Sequence, residues 1–450
     1  MANTEVGLSA CPNEVLELIC VFMCNHCAAE DLEISDPNDN GTTDLNNLCH
    51  VSKRLYRIAQ PILFHKFQSY TEAKSRVTLF LRSLIDRPDL RMSVCEVGLS
   101  FAGLFKRPLV EQLRLVMGDT TEQIFTHTAM MPEQEVSERS VIGMVLSLTP
   151  NLAALRSSAV PLLAPQAHSH YSPLPKLRKL YIASSSTDCK DLAKFLHKAP
   201  NIETLITYGL SCSKYSDHDY HLMLTEPTTL QGLGNIRHLI LTSCYVHPTA
   251  LATIISKCGP LQRFFLSTAR TPDREYGYDR PIPTIPLTPW RALLEKRESL
   301  RSITIASGVY PFDISPEDDP CFLRYFKCLE ELEIDSPASK SLLDHWKAHG
   351  MSNQEGFLVQ TLPESIRQLT MVNAPAGLID PVRNLALMMQ DGRFPNFKLL
   401  NLKPQFGETW PQKYAWIRYF PELCTSLQQV GVTLRMNSIL MSSELGRYLW

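Results

Sequence analysis

"PKLRKLYI" (residues 175–182) is the stretch on which the fold turns, because the chain repeats it. It returns as "PNIETLIT" (200–207), "GNIRHLIL" (234–241), "GPLQRFFL" (259–266), "ESLRSITI" (298–305), "KCLEELEI" (327–334), "ESIRQLTM" (364–371), "PNFKLLNL" (395–402) and "TSLQQVGV" (425–432). An earlier copy, "PNLAALRS" (150–157), keeps the first two apolar positions and loses the third. The leading apolar residue falls at 152, 177, 202, 236, 261, 300, 329, 366, 397 and 427, in steps of 25 to 39 residues. Three and five positions later the chain alternates as a half-buried strand requires: Leu180 with Ile182, Leu239 with Leu241, Ile303 with Ile305. Helix-like stretches precede several copies, such as "DLAKFLHKAP" (191–200), "TALATIISKCGP" (249–260) and "PVRNLALMMQDGRFP" (381–395). A Pro or Gly often stops the helix just before the strand begins.

Strand, turn, helix, turn, repeated at a loose period, is the pattern of an α/β leucine-rich-repeat solenoid, with parallel strands on a concave face and helices behind. The long, irregular period resembles the helix-backed intracellular type. This reading predicts a solenoid over 93–450, opened by "SVCEVGLSF" (93–101). No unit buries its apolar face alone, so the array is expected to behave as one cooperative block. Before it, "TEAKSRVTLFLRSLIDRPDL" (71–90) predicts a linker helix within 68–92, with Val77, Phe80, Leu81 and Leu84 facing the array.

The N-terminal texture is different. In "CPNEVLELICVFMC" (11–24), Pro12 suits a first helical turn, where its missing N–H has no partner to lose. Glu14 favours the positive end of the helix dipole. Val15, Leu16, Ile19, Phe22 and Met23 wrap most of the cylinder, so this helix must be covered on more than one side. A polar stretch (25–43) follows. A second helix through Leu45, Leu48 and Val51 is then expected, and a third through Leu55, Ile58 and Ile62 that Pro61 bends or ends. Three short helices bury too little surface to cover every face, which leaves apolar area for the next domain or another protein.

Pro12, Glu14, Val15, Leu16 and Ile19, then Leu45, Leu48, Val51, Ser52, Lys53 and Arg54, then Pro61, Leu63 and Phe64, resemble an F-box. "VSKRLYRIAQPILF" is especially close to the fungal form. The chain departs from the family pattern at Cys11, where Leu is usual, and near Leu55 and Tyr56, where a Trp is usual. The resemblance implies an F-box over 8–67 that docks onto the Skp-type adaptor and cullin core of a ubiquitin ligase. Pro12, Leu16, Ile19, Leu45, Leu48 and Val51 are the adaptor contacts it carries over. The chain would then be a non-catalytic subunit that recruits a protein target through its repeats. The alternative is a repeat scaffold outside any ligase, its helical start only a cap.

Four solvent-side strand residues, Tyr181, Ile206, Ile240 and Phe265, would stack into an apolar, partly aromatic stripe. The later members of that row, Thr304, Glu333, Thr370 and Asn401, are polar. The stripe is either a target-binding surface or a floor beneath one of the long inserts at 211–229, 267–289 and 306–320.

The 450-residue chain has the mean hydropathy of an ordinary globular protein, -0.10, and its formal net charge of -2 points away from a partner held by phosphate charge. The charge is uneven, with nine acids and no Lys or Arg in residues 1–50, then nine Lys or Arg against four acids in 51–100. No stretch reaches the roughly 18 apolar residues of a membrane helix, and Glu14 and Glu17 interrupt the N-terminal apolar run, so no signal peptide is expected. A cytosolic or nuclear chain with reduced cysteines follows. Neither G-x-x-x-x-G-K-[ST] nor G-x-S-x-G occurs. "CNHC" (24–27) followed by Cys49-His50 has ligand types for zinc but no second closely spaced pair. His218, Asp219 and His221 sit in a polar loop with no further ligands at a defined spacing. Neither metal nor cofactor is assigned.

Overall fold

The structure, a computed structural model, describes residues 8–24, 27, 41–71, 74–101, 105–106, 135–136, 138–160, 174–211, 231–244, 246, 248–268, 289–306, 319, 321–351, 356–374, 376–404 and 410–436. The chain forms two compact units, Met1–Ser184 with Asp191–Ile202, and Ser185–Lys190 with Glu203–Trp450.

The first unit begins with three helices, α1 (Asn13–Met23), α2 (Gly41–Val51) and α3 (Lys53–Leu63). Ser52 caps α3 from an extended backbone, its Oγ accepting the Leu55 N–H at 3.2 Å. That satisfies one of the N–H donors a helix start leaves open. Arg54 reaches back to the start of α1, its Nε donating to Asn13 Oδ1 at 2.8 Å and its Nη2 to the Cys11 carbonyl at 2.5 Å. Cys20, Cys24, Leu45, Ala59 and Ile62 make the core between the helices, with Leu48 and Ile58 packed at its margin.

Strand β1 (Lys66–Thr71), helices α4 (Lys74–Asp86) and α5 (Pro88–Arg91), and β2 (Glu96–Phe101) follow. Next come a two-strand ladder, β3 (Phe105–Lys106) with β4 (Glu135–Val136), then α6 (Glu138–Leu148), β5 (Ala154–Ser157), β6 (Lys179–Asp188) and α7 (Cys189–Lys198). The order β1-β2-β5-β6 is parallel throughout. The sheet therefore opens one strand before 93–101, within residues read from the sequence as the end of the hook and its linker. Phe67 anchors that strand, stacking on Phe80 of α4 with ring centroids 3.9 Å apart. Val77, Phe80, Leu81 and Leu84 are all buried. The lost third apolar position of "PNLAALRS" is Ser157, buried beside Leu99 and Ile182, its Oγ donating to the Ala159 carbonyl at 2.6 Å. A satisfied hydroxyl replaces an apolar side chain there without an orphaned polar group.

The second unit contains β7 (Thr204–Ser211), β8 (His238–Cys244), α8 (Pro248–Lys257), β9 (Arg263–Thr268), α9 (Pro289–Leu294), β10 (Ser302–Ala306) and β11 (Glu331–Ile334). It continues with α10 (Ser336–Ala348), α11 (Phe357–Thr361), β12 (Gln368–Ala374), α12 (Ile379–Gln390), β13 (Leu399–Pro404), α13 (Trp410–Gln429) and β14 (Thr433–Met436). Strands β7 to β14 lie in sequence order, all parallel, as a solenoid-like α/β array requires. Leu205, Leu239, Phe264, Ile303, Leu332, Leu369 and Leu400 align across the strands as one buried row.

Two devices fix strands within each unit on the ones before them. One carbonyl accepts two successive N–H groups from the next strand's entry, as Gln262 O does from Arg301 and Ser302 at 2.8 and 3.1 Å. The side chain just before the leading apolar residue bonds to backbone one repeat back. Asn201 Nδ2 reaches Pro175 O at 2.9 Å, Ser299 Oγ reaches Leu261 O at 2.9 Å and Ser365 Oγ reaches Leu329 O at 2.8 Å. These bonds satisfy turn carbonyls near the sheet edge.

The last copy is displaced. Residues 425–429 belong to α13, and the strand is Thr433–Met436. Leu427, read as the leading strand residue, is buried from the helix, and Gly431 at φ 77° ends it. The Gly431 N–H donates to Gln428 O at 3.0 Å and the Val432 N–H to Leu427 O at 2.9 Å, a left-handed stop that delays the strand.

Candidate interaction surfaces

Helix α1 divides its apolar residues between two media. Leu16 and Cys20, one turn apart, are buried. Val15, Leu18, Ile19 and Phe22 keep the spacing of a single helix face and stand 41, 59, 37 and 80 % exposed. Among the positions carried over from the resemblance, Leu16 and Leu45 are buried at 2 % each, and Leu48 is half-buried against the core. Pro12 is exposed, and so is Val51, at 68 %, at the end of α2. Val15, Leu18, Ile19, Phe22 and Val51 are thus accessible apolar side chains of this region, together with Leu8 and Tyr56. Sequence reading passed over Leu18 because a helix apolar nearly all round has no marked face. A continuous stripe of this kind commonly marks a protein-binding surface.

The sheet face away from the buried rows is the second surface. Ile206, Ile240, Phe265, Thr304, Glu333, Thr370 and Asn401 are successive partners in the strand register. The row passes from apolar to polar at Thr304; Ile206, Ile240 and Phe265 are half-buried, while Thr370 is buried. Lys403 Nζ pairs with Glu333 Oε1 at 3.1 Å on the polar side. Tyr181, in the first unit, pairs with Arg156, whose guanidinium carbon lies 4.9 Å from the ring centroid. The three long inserts fall, apart from their ends, outside the described residues, as do His218, Asp219 and His221.

Several of the described thiols are poorly placed for nucleophilic chemistry. Burial pushes Cys20, Cys49, Cys95, Cys244, Cys321 and Cys424 above the ordinary thiol range, and Cys258 to about 12. A protonated, buried thiol is a poor nucleophile. Cys24 and Cys27 do not gather with Cys49 and His50. Their neighbour is His65, and the three ligand atoms lie within 4.8 Å of one another. His65 is distant in sequence, so no local spacing rule could find it. Among the described residues no helix is long and apolar enough to cross a membrane. No protein-family model matches the chain, and no curated protein matches its sequence.

Proposed function

We propose that the chain is a substrate-recruiting adaptor of a cullin-RING ubiquitin ligase, in which α1–α3 act as an F-box that docks onto a Skp-type adaptor. The strand–helix units are then leucine-rich repeats whose sheet residues meet the target, Tyr181 in the first unit and Ile206, Ile240 and Phe265 in the second. Ubiquitin transfer is carried out by other subunits; this chain supplies proximity and orientation. The observation that supports the reading is the exposed stripe Val15, Leu18, Ile19 and Phe22. A full burial of Leu18 or Phe22 is worth roughly 1.5–3 kcal/mol each, enough to anchor a hot spot.

The test is co-purification of the full chain with the Skp-type adaptor. Leu18→Asp with Phe22→Asp is expected to abolish capture while leaving the thermal transition of the free chain in place. A wild-type chain that never co-purifies with the adaptor overturns the ligase reading in favour of a scaffold.

A further inference from the structure

We propose that Cys24, Cys27 and His65, completed by Cys95, form a tetrahedral thiolate–imidazole site for a zinc-type cation. The inference is independent of any ligase role. Three structural elements bring the ligands together. Cys24 ends α1, and Cys27 follows at the two-residue spacing common to zinc thiolate pairs. His65 occupies the turn between α3 and β1, and Cys95 lies just ahead of β2. The Cys95 N–H donates to the His65 carbonyl at 2.9 Å, so the fourth residue is fixed beside the third by the sheet's own wiring.

The distances suit the ion. Cys27 Sγ lies 3.2 Å from His65 Nδ1, and the Sγ atoms of Cys24 and Cys27 and the His65 nitrogen all fall within 4.8 Å of one another. Sulfur at about 2.3 Å and nitrogen at about 2.0 Å from a shared zinc are about 3.5 Å apart in a tetrahedron, close to the separations of these three atoms. Cys95 Sγ, which donates to the Ser93 carbonyl at 3.3 Å, would turn from it to fill the fourth position. The donors are soft sulfur and imidazole with no carboxylate among them, which selects zinc over magnesium or calcium.

A catalytic Cys27–His65 pair is the rival use of the same atoms. Cys24 Sγ lies with both atoms inside the same 4.8 Å, so the group is a set of converging ligands rather than an isolated nucleophile–base pair. A dication supplies the charge that lets several adjacent thiolates form, with release of their protons. Bound there, it would tie the end of α1 to the start of the sheet.

The experiment is elemental analysis of the untagged full chain, purified under reducing conditions without chelator. One zinc per chain is expected. Cys24→Ser, Cys27→Ser and His65→Ala are each expected to lose it, whereas Cys49→Ser retains it and His65→Cys restores a soft ligand and binding. Cobalt(II) added to the metal-free wild-type chain is expected to give thiolate-to-cobalt charge-transfer absorption, reduced by about a third in Cys95→Ser if three thiolates bind. The absorption of the wild-type chain is read without any variant, so that arm of the test stands even where a variant fails to fold. Wild-type protein that carries no metal and gives no such absorption overturns the proposal, as does zinc retained in His65→Ala or a Cys24–Cys27 disulfide under reducing conditions.

Discussion

Cys20 and Phe22 stand two residues apart on α1 and face opposite media, the thiol 1 % exposed in the helical core and the ring 80 % exposed. The helix turn alone imposes this division, since residues i and i+4 share a face while i and i+2 do not. What it does not explain is an outer face built from Val, Leu, Ile and Phe. Exposure there contributes nothing to folding of the free chain.

The two faces should therefore answer differently to truncation. Leu16→Ala opens a cavity in the helical core and is expected to cost about 2–5 kcal/mol. Leu18→Ala and Phe22→Ala should change stability by about 0.5 kcal/mol or less. Urea midpoints of the three variants decide the matter, and a silent Leu16→Ala would mean that the faces are assigned the wrong way round.

The turn between α2 and α3 carries a second, smaller test. Ser52→Ala removes the cap from the Leu55 N–H and is expected to cost about 1 kcal/mol, while Ser52→Asp, an equally good cap, should cost little. Arg54→Lys is expected to behave like Arg54→Ala. One ammonium does not reproduce the fork that reaches both Asn13 and the Cys11 carbonyl. A Lys variant as stable as wild type would show that Arg54 is only a surface charge.

How far the fold was legible follows from where the energy lies. Leading residues such as Leu177, Ile202 and Leu300 are fully buried, and a core position of that kind tolerates little but Leu, Ile or Val. Their period is therefore written in the sequence. Strand β1 escapes notice because its core positions are Phe67 and Ser69, a polar alternation with one apolar member. The final strand lies later than the repeat pattern places it because Leu427 satisfies that pattern from within a helix. On α1 the inward and outward residues have the same chemistry, so only coordinates separate them. The Cys24–Cys27–His65 group is invisible for a third reason: sheet topology, rather than spacing, makes neighbours of its members.

Acid should expose a contribution from Asp319. Partial burial raises its carboxyl, but hydrogen bonds from Tyr325 Oη at 2.5 Å and the Cys321 N–H at 2.8 Å, with Arg324 at 3.2 Å, outweigh burial and hold it below its ordinary 3.8. A carboxyl depressed on folding stabilises in full above its unfolded value, and that stability disappears as pH falls through the lower folded value. With the side chain 35 % exposed, solvent screening limits the effect to about 1 kcal/mol. Asp319→Asn should lower the urea midpoint at neutral pH and flatten its decline below about pH 4. A variant whose pH profile overlays the wild type would remove Asp319 from the acid response.

Gly234 and Gly259 hold the same place in successive repeats, two residues before Ile236 and Leu261, yet they should not tolerate alanine equally. A Cβ on Gly259 would lie 2.2 Å from the Gly234 carbonyl oxygen and 3.1 Å from its carbon. Those are backbone atoms of the neighbouring repeat, and rotamer changes do not move them. The turns must separate, and the wiring that carries Gln262 and Arg263 onto Arg237 O at 2.7 and 3.0 Å must stretch with them. Overpacking of this kind costs about 1–3 kcal/mol. A Cβ on Gly234 meets nothing within 4 Å. Gly259→Ala is thus expected to lower the urea midpoint clearly and Gly234→Ala to leave it nearly unchanged. Equal effects from the two would show that the Gly259 turn does not press on the Gly234 carbonyl.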